Sequence, residues 1–449
     1  MQQKAIKSSW RPTGHVAPHT FGVPVEGVSE TDLNSVSVKV ARFPSCSYAE
    51  DDGGENHRVN IGIDISTWNN RRGFGRFTRE IVRSMVQEGR GHEYLLFGDR
   101  ATLVGADSLD RGHIIRAPTG QAVLEAASAS GHRSLRDIWA MTREVARHDV
   151  DVMFFPAVYS YFPVLNKTKI ILTIHDMIPE LYPEKVFPNA RFRTFWRLKQ
   201  MVGIWQSSVV LTVSQHSKDQ IMQHCRLADG QVHVIYEAAG SAFHVMNDRA
   251  AVHAILQRYG LTSAERFLLY VGGMSPHKNL AALIRAYMEL LDDPGFADVK
   301  LVLVGEYLAD AFYSDYPALR QLVLQSRLGD RVTFTGYIDD VDLAGLYNAT
   351  ACFVLPSLVE GFGLPAVEAM ACGAAVVASR AGSLPEILDG AGRLFDPADH
   401  RELAATLKGV LSDQALRQTM RTRGLVRAKR FGWQQTAEQL NCLCESLVS

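Results

Sequence analysis

No stretch of the 449 residues approaches the eighteen consecutive apolar residues that a membrane span needs, and the N-terminus lacks the apolar core of a secretion signal. The chain is therefore expected in the cytoplasm, with peripheral attachment to the inner face of the plasma membrane left open. Charge of one sign is missing too. Lys and Arg (47) balance Asp and Glu (48), for a formal net charge of -1, so nucleic acid is not an expected partner. Cysteine is sparse: Cys46, Cys225, Cys352, Cys372, Cys442 and Cys444 show no zinc-type spacing. The Cys442 and Cys444 side chains would point apart on a helix. Reduced, buried thiols are the expectation. Short-period repeats are absent as well.

What is present is a length too great for one ordinary core and a composition, 47% hydrophobic and 21% charged, typical of soluble globular chains. Residues 1–57 hold four prolines, clustered serines and an acidic-glycine stretch without apolar period, and read as a flexible extension. From residue 58 onward, short apolar runs alternate with helical patterns, the signature of parallel sheets wrapped by helices. Runs at 61–63, 94–97, 152–155, 170–174 and 209–213 build a first domain, 58–243. Runs at 267–271, 300–304, 332–335, 351–355 and 374–378, with helices at 280–291 and 403–411, build a second, 250–430. The polar segment 240–249 is the expected linker. The fold class is α/β, with two doubly wound Rossmann-like domains facing a cleft. Ligands of such sheets bind beyond the carboxyl ends of the strands, so the chemistry belongs in that cleft.

The segment 359–373 carries the strongest signal, because a buried-strand run precedes it, Gly361 and Gly363 break the backbone, and Pro365 suits a helix start. Free amides at a helix's positive end attract an anion such as a diphosphate. Glu368, read as a first-turn acid, would be repelled by that diphosphate, which leaves hydroxyls as its partners. One glutamate is thus expected to hold a ribose diol, and Glu360 a sugar ring.

The Glu-x7-Glu pattern with Gly-Phe-Gly-Leu-Pro between the acids resembles the donor-site signature of family 4 retaining glycosyltransferases, which adopt the two-domain GT-B fold. The resemblance runs from about residue 61 to the C-terminus. It implies a last helix, 431–449, crossing back to the first domain. It also implies a donor site of Gly73, Gly75, Gly273, Lys278, Ile338, Glu360, Gly361, Phe362, Gly363, Leu364 and Glu368, with His175, Glu360 and Lys278 catalytic.

The residues carry parts of this on their own. Lys278 follows a strand and precedes a helix; a cation there opposes the helix dipole and calls for an anionic partner, here the departing diphosphate. The family usually has an arginine a few residues earlier, where this chain has Gly273. His175 falls at a strand's carboxyl end, and the resemblance places it against the donor sugar; Asp176 would orient backbone or cap a turn. Gly73 and Gly75 make a Gly-x-Gly loop opening the first helix, which a tight turn explains nearly as well. Tyr337-Ile338 and the segment Ser383-Leu384-Pro385-Glu386 also end strands. Two Asp-x-Asp triplets, Asp149 to Asp151 and Asp340 to Asp342, are discounted as metal sites, the second reading as a helix start. No metal and no cofactor beyond a nucleotide-sugar substrate is expected.

Residues 189–205 place Phe192, Phe195, Trp196, Val202 and Trp205 on one helical side and Arg193, Arg197 and Gln200 on another. An anionic membrane surface and ordinary packing on the sheet are equally open partners. The expected activity is metal-independent hexosyl transfer with retention, GDP-mannose being the favoured donor and a lipid-linked glycan of surface-polysaccharide synthesis the acceptor. A UDP-sugar donor, a sugar-nucleotide 2-epimerase and a non-catalytic scaffold are the alternatives.

Overall fold

Two fully parallel sheets organise the chain. The first has the order β3-β2-β1-β4-β5-β6-β7, from β1 (Asn60–Asp64), β2 (Glu93–Gly98), β3 (Gly112–Arg116), β4 (Val152–Phe155), β5 (Lys169–Thr173), β6 (Val209–Thr212) and β7 (Val232–Val234). The second has the order β10-β9-β8-β11-β12-β13, from β8 (Phe267–Val271), β9 (Lys300–Val304), β10 (Val332–Gly336), β11 (Cys352–Leu355), β12 (Val376–Ser379) and β13 (Arg393–Phe395). In this computed structural model the described residues are 58–70, 73–99, 112–120, 134–187, 189–307 and 314–449. The expected extension at 1–57 lies outside them.

Helices cover both faces, which is why central strands such as β4, β6, β11 and β12 are uninterrupted apolar runs with every residue buried. In the first half these are α1 (Gly73–Glu88), α2 (Leu135–Val145), α3 (Ile178–Leu181), α4 (Pro183–Val186), α5 (Ala190–Gln206) and α6 (Gln215–Cys225). In the second they are α7 (Arg249–Arg258), α8 (Leu280–Leu291), α9 (Tyr316–Gln325), α10 (Asp340–Ala349), α11 (Leu364–Ala371), α12 (Leu384–Leu388), α13 (His400–Ser412) and α14 (Gln414–Ala428). The helix at 280–291 coincides with its expected span, since seven of its residues face the core.

Three strands escape the apolar-run criterion. β3 is an edge strand with His113 and Arg116, while β7 and β13 are three residues each, both at edges where one side has no partner strand. The expected linker also ends in a helix. α7 starts at Arg249, with the Asp248 carboxylate accepting from Ala250 N and Ala251 N, and packs on α10.

The last helix, α15 (Trp433–Val448), returns to the first half and lies along α1. Trp433 meets the edge of Phe77 with 5.8 Å between centroids, and Thr436 Oγ1 donates to the Tyr236 carbonyl at 2.8 Å. One apolar core cluster therefore runs through both halves. Cys225, Cys352, Cys372 and Cys444 are free thiols, whereas Cys442 is disulfide-bonded, contrary to the expectation of thiols throughout.

Helix α5 corrects the amphipathic reading of 189–205. Trp196, Gln200 and Gly203 face inward, Gly203 because a Cβ there would come within 3.0 Å of Leu172. Phe195, Leu198, Met201 and Trp205 form an outward ridge, and Trp205 is 81% exposed. Trp196 Nε1 donates to Glu180 Oε1, while Glu180 Oε2 is buried with no hydrogen-bond partner among the described residues. Burial raises the Glu180 carboxyl to about 7, Trp196 opposing that rise. A carboxyl raised above its unfolded value of 4.5 stabilises the fold below pH 4.5, and that stability is lost as pH climbs through about 7. Glu180→Gln is therefore expected to be more stable than the parent at pH 8, by up to about 3 kcal/mol and so with a higher melting temperature, and alike at pH 4.5. Equal melting differences at the two pH values would contradict this.

Candidate functional site

The order of each sheet reverses between β1 and β4 and between β8 and β11, opening a crevice at the carboxyl ends of those strands. Lys278 follows β8 and Glu360 follows β11, so the two strands flanking the second crevice deliver the two side chains to one point. Lys278 Nζ donates to Glu360 Oε1 at 2.8 Å and to Oε2 at 3.0 Å, and Ser357 Oγ adds a 2.6 Å bond to Oε1. The loops carrying the pair are tied together. Leu358 N donates to the His277 carbonyl at 2.8 Å, and Asn279 Nδ2 donates to the carbonyls of Pro356 and Pro397. Asn279 itself is left-handed (φ 58), which separates the short turn carrying Lys278 from α8.

Gly363 precedes α11 in the left-handed region (φ 93) with no side-chain cap; Pro365 has no N–H and Ala366 N donates to the Gly363 carbonyl at 2.9 Å, so the helix start is closed by a backbone turn and not by a side chain. Leu364 and Pro365 occupy the first two helical positions, and both Phe362 and Leu364 are buried. Glu368 is the fifth residue of the helix, not a first-turn acid as the pattern suggested, because the helix starts only after Gly363. Its carboxylate is 2% exposed and accepts from the Tyr347 hydroxyl at 3.3 Å.

Gly361 needs to be glycine for a reason other than approach to a ligand. A Cβ there would lie 2.7 Å from the His175 carbonyl, so the loop after β11 is pressed against the loop after β5 of the other half. Gly75 is under a similar steric constraint, a Cβ falling 2.1 Å from the Asn70 carbonyl oxygen, whereas a Cβ on Gly73 would meet no described atom within 4 Å. The Gly273 carbonyl accepts from Tyr270 at 2.7 Å. Ile338 is 5% exposed and belongs to the apolar core cluster.

His175 sits in the cleft, but both its ring nitrogens are committed. Nδ1 lies 3.2 Å from Glu237 Oε1 and Nε2 lies 2.9 Å from the Pro156 carbonyl. Both partners are acceptors, which requires both nitrogens to carry protons. Burial alone would lower its pKa; the bond and charge of Glu237, the Pro156 carbonyl and Asp176 outweigh this and raise it. The Glu237 carboxylate and the Pro156 carbonyl thus fix the orientation of the ring in the cleft. Asp176 accepts from Ile178 N at 2.9 Å; burial raises its pKa, and the charge of Lys278 lowers it while Glu360 raises it. The β5 loop therefore faces the Lys278–Glu360 pair.

Sequence reasoning missed Arg76, although it stands one residue past Gly75. From α1 it pairs with Glu368 and Asp340 of the second half, and its guanidinium lies 5.0 Å from the Phe243 ring centroid. Glu237 was missed because β7, which precedes it, is too short to register as a run. Each Asp-x-Asp triplet has an acid held by protein donors. Asp342 binds Arg258 and Tyr259, and Asp151 accepts from Asn60 N.

Two doubly wound sheets with a lysine–glutamate pair and a helix start at the crevice define a GT-B glycosyltransferase architecture. Residues 253–426 match the family profile of glycosyl transferases group 1, and residues 71–238 match that of glycosyltransferase family 4. The O-antigen chain mannosyltransferase B of Escherichia coli is 33% identical over 60% of this chain and 68% of its own length. The chain belongs to the family 4 glycosyltransferases. The serotype-specific mannosyltransferase WbdA of Escherichia coli is 30% identical over 60% of this chain, which spans only about a third (32%) of that protein. Among solved structures, sucrose-phosphate synthase from Thermosynechococcus elongatus superimposes with a TM-score of 0.67 at 21% identity, over 87% of this chain and 99% of that one.

Proposed function

We propose that this protein transfers a hexose, mannose from GDP-mannose in the favoured reading, to an acceptor hydroxyl with retention of anomeric configuration. The observation that carries it is the Lys278–Glu360 pair at the β8/β11 crevice beside the start of α11. The favoured sugar rests on the relatives, which are described as mannosyltransferases. In the reaction the anomeric carbon–oxygen bond to phosphate breaks as the acceptor oxygen attacks from the same face. The leaving phosphate oxygen takes the acceptor's proton. Lys278 and the α11 amides stabilise the charge on the diphosphate, Glu360 positions the sugar, and Glu368 holds the ribose once Arg76 yields it. With Lys278 and those amides carrying the charge, the leaving group is stabilised without a metal ion.

The test is thermal stabilisation by a panel of GDP and UDP sugars, followed by transfer assays in excess chelator. Stabilisation by GDP-mannose and undiminished transfer are expected. Stabilisation by a UDP sugar alone would move the donor, and turnover without acceptor would point to an epimerase.

We further propose that the acceptor is reached at an anionic membrane surface through α5. No described helix is long and apolar enough to cross a membrane. Phe195, Leu198, Met201 and Trp205 stand exposed with Leu165 nearby, flanked by exposed Arg191, Arg197 and Lys167. An apolar ridge with basic flanks suits the headgroup boundary, each cation adding about 1 kcal/mol. Flotation with anionic vesicles at low salt is expected, and the pair Leu198→Ala with Trp205→Ala should weaken it by roughly tenfold or more. Equal flotation of parent and variant would dismiss the surface.

A further inference from the structure

Glu386 makes contacts that the transferase reading does not use. Helix α6 begins at Gln215, and its cap Ser214 spends its hydroxyl oxygen on the Ser217 amide at 3.0 Å. The amides of Gln215 and His216 remain, and each donates to one oxygen of the Glu386 carboxylate, at 2.9 and 3.2 Å. Glu386 belongs to α12 of the other half, so a carboxylate of one half completes the helix start of the other. A negative group there also meets the helix's positive end. Tyr236 Oη adds a 2.9 Å bond to the same carboxylate.

The same turn of α6 holds a second element. Ser214 Oγ and Ser217 Oγ donate to the Gly361 carbonyl at 2.6 and 3.1 Å, immediately beside Glu360. The two held elements are joined behind the interface. Ser383 N donates to the Glu360 carbonyl at 3.2 Å, and Ser383 Oγ to the Phe362 carbonyl at 2.7 Å, three residues ahead of Glu386. Arg427 fixes the other side of α12 by donating to the Glu386 and Ile387 carbonyls. The backbone of residues 360–362 is therefore set by α12 from within its own half and by α6 from across the cleft. The second contact exists only when the halves are together.

We propose that Glu386 is a positioning residue: by capping α6 in trans it couples closure of the two halves to the alignment of Glu360. Opening the cleft strips the carboxylate of two amide donors and a hydroxyl and releases the Gly361 carbonyl, so Glu360 loses its register when the site is exposed to water. This rests on the transferase reading for its kinetic consequence, but not for its structural one.

Glu386→Ala and Glu386→Gln test it, with folding checked by thermal melting. Glu386→Ala is expected to lower kcat for transfer by roughly 10- to 100-fold, as for a misplacement on the scale of an ångström, and to raise the fraction of donor hydrolysed per transfer. Nucleotide affinity, read by thermal shift with GDP or UDP, should change less than about threefold, because the nucleotide groups are carried by the second half. Glu386→Gln keeps one acceptor oxygen and should fall between the two. Small-angle scattering should show a larger radius of gyration for Glu386→Ala, whatever the activity. A folded Glu386→Ala protein with the parent's kcat and hydrolysed fraction, or with an unchanged radius, overturns the proposal. If the parent itself transfers no sugar while scattering still separates the variants, the transferase reading fails and the trans-cap stands.

Discussion

Lys278→Ala is expected to cut kcat/KM for sugar transfer by roughly 10³-fold, with the protein still folded. Two effects add in the same direction. The ammonium sits at the crevice where the leaving phosphate is proposed to form, so its loss removes charge stabilisation that grows as the phosphate departs. The change also strands Glu360, whose side chain is only 10% exposed and whose oxygens both accept from Lys278. A buried carboxylate deprived of its cation is costly and tends to take up a proton. Steady-state kinetics, with melting curves to confirm folding, check this. A near-normal rate would contradict the assignment of the crevice as a donor site.

Glu360→Gln is expected to lower kcat by roughly 10² to 10³ while moving donor KM by much less, the pattern of a contact realised mainly in the transition state. Glutamine is nearly isosteric and keeps an acceptor for Ser357 Oγ, which binds Oε1 at 2.6 Å, so the loop should hold. What disappears is the charge that orients Lys278 and one of the two carboxylate oxygens proposed to hold the sugar. Because the two side chains act as a unit, the Lys278→Ala/Glu360→Gln double variant should be no worse than about the poorer single one. Fully additive losses would mean that the pair does not work together. Glu360→Ala should show at least as great a loss of transfer.

The central strands were legible because a strand buried on both faces must be apolar throughout, and local composition reports that directly. Edge strands β3, β7 and β13 were not, since half of their surface has no such requirement. Lys278 and Glu360 were placed at strand ends for a different reason: each follows a strand in a loop ahead of a helix start, where local chemistry restricts what a charged residue is for. Arg76, Glu237 and Glu386 carry no such local mark. Arg76 reads as one more surface arginine on α1 until α11 is brought against it. His175 could be located at its strand end, but its partner Glu237 lies 62 residues away and carries no local mark.

The order of strands, glycines and helix starts along the chain was enough to determine two doubly wound halves and to put carboxylates and a lysine at strand ends, because these follow from backbone sterics and burial acting over a few residues. Which acid pairs with which cation, which ring nitrogens are occupied, and how one half caps a helix of the other were decided only by tertiary packing. Those contacts join groups far apart in sequence, and their energies depend on burial and distances that no local pattern encodes.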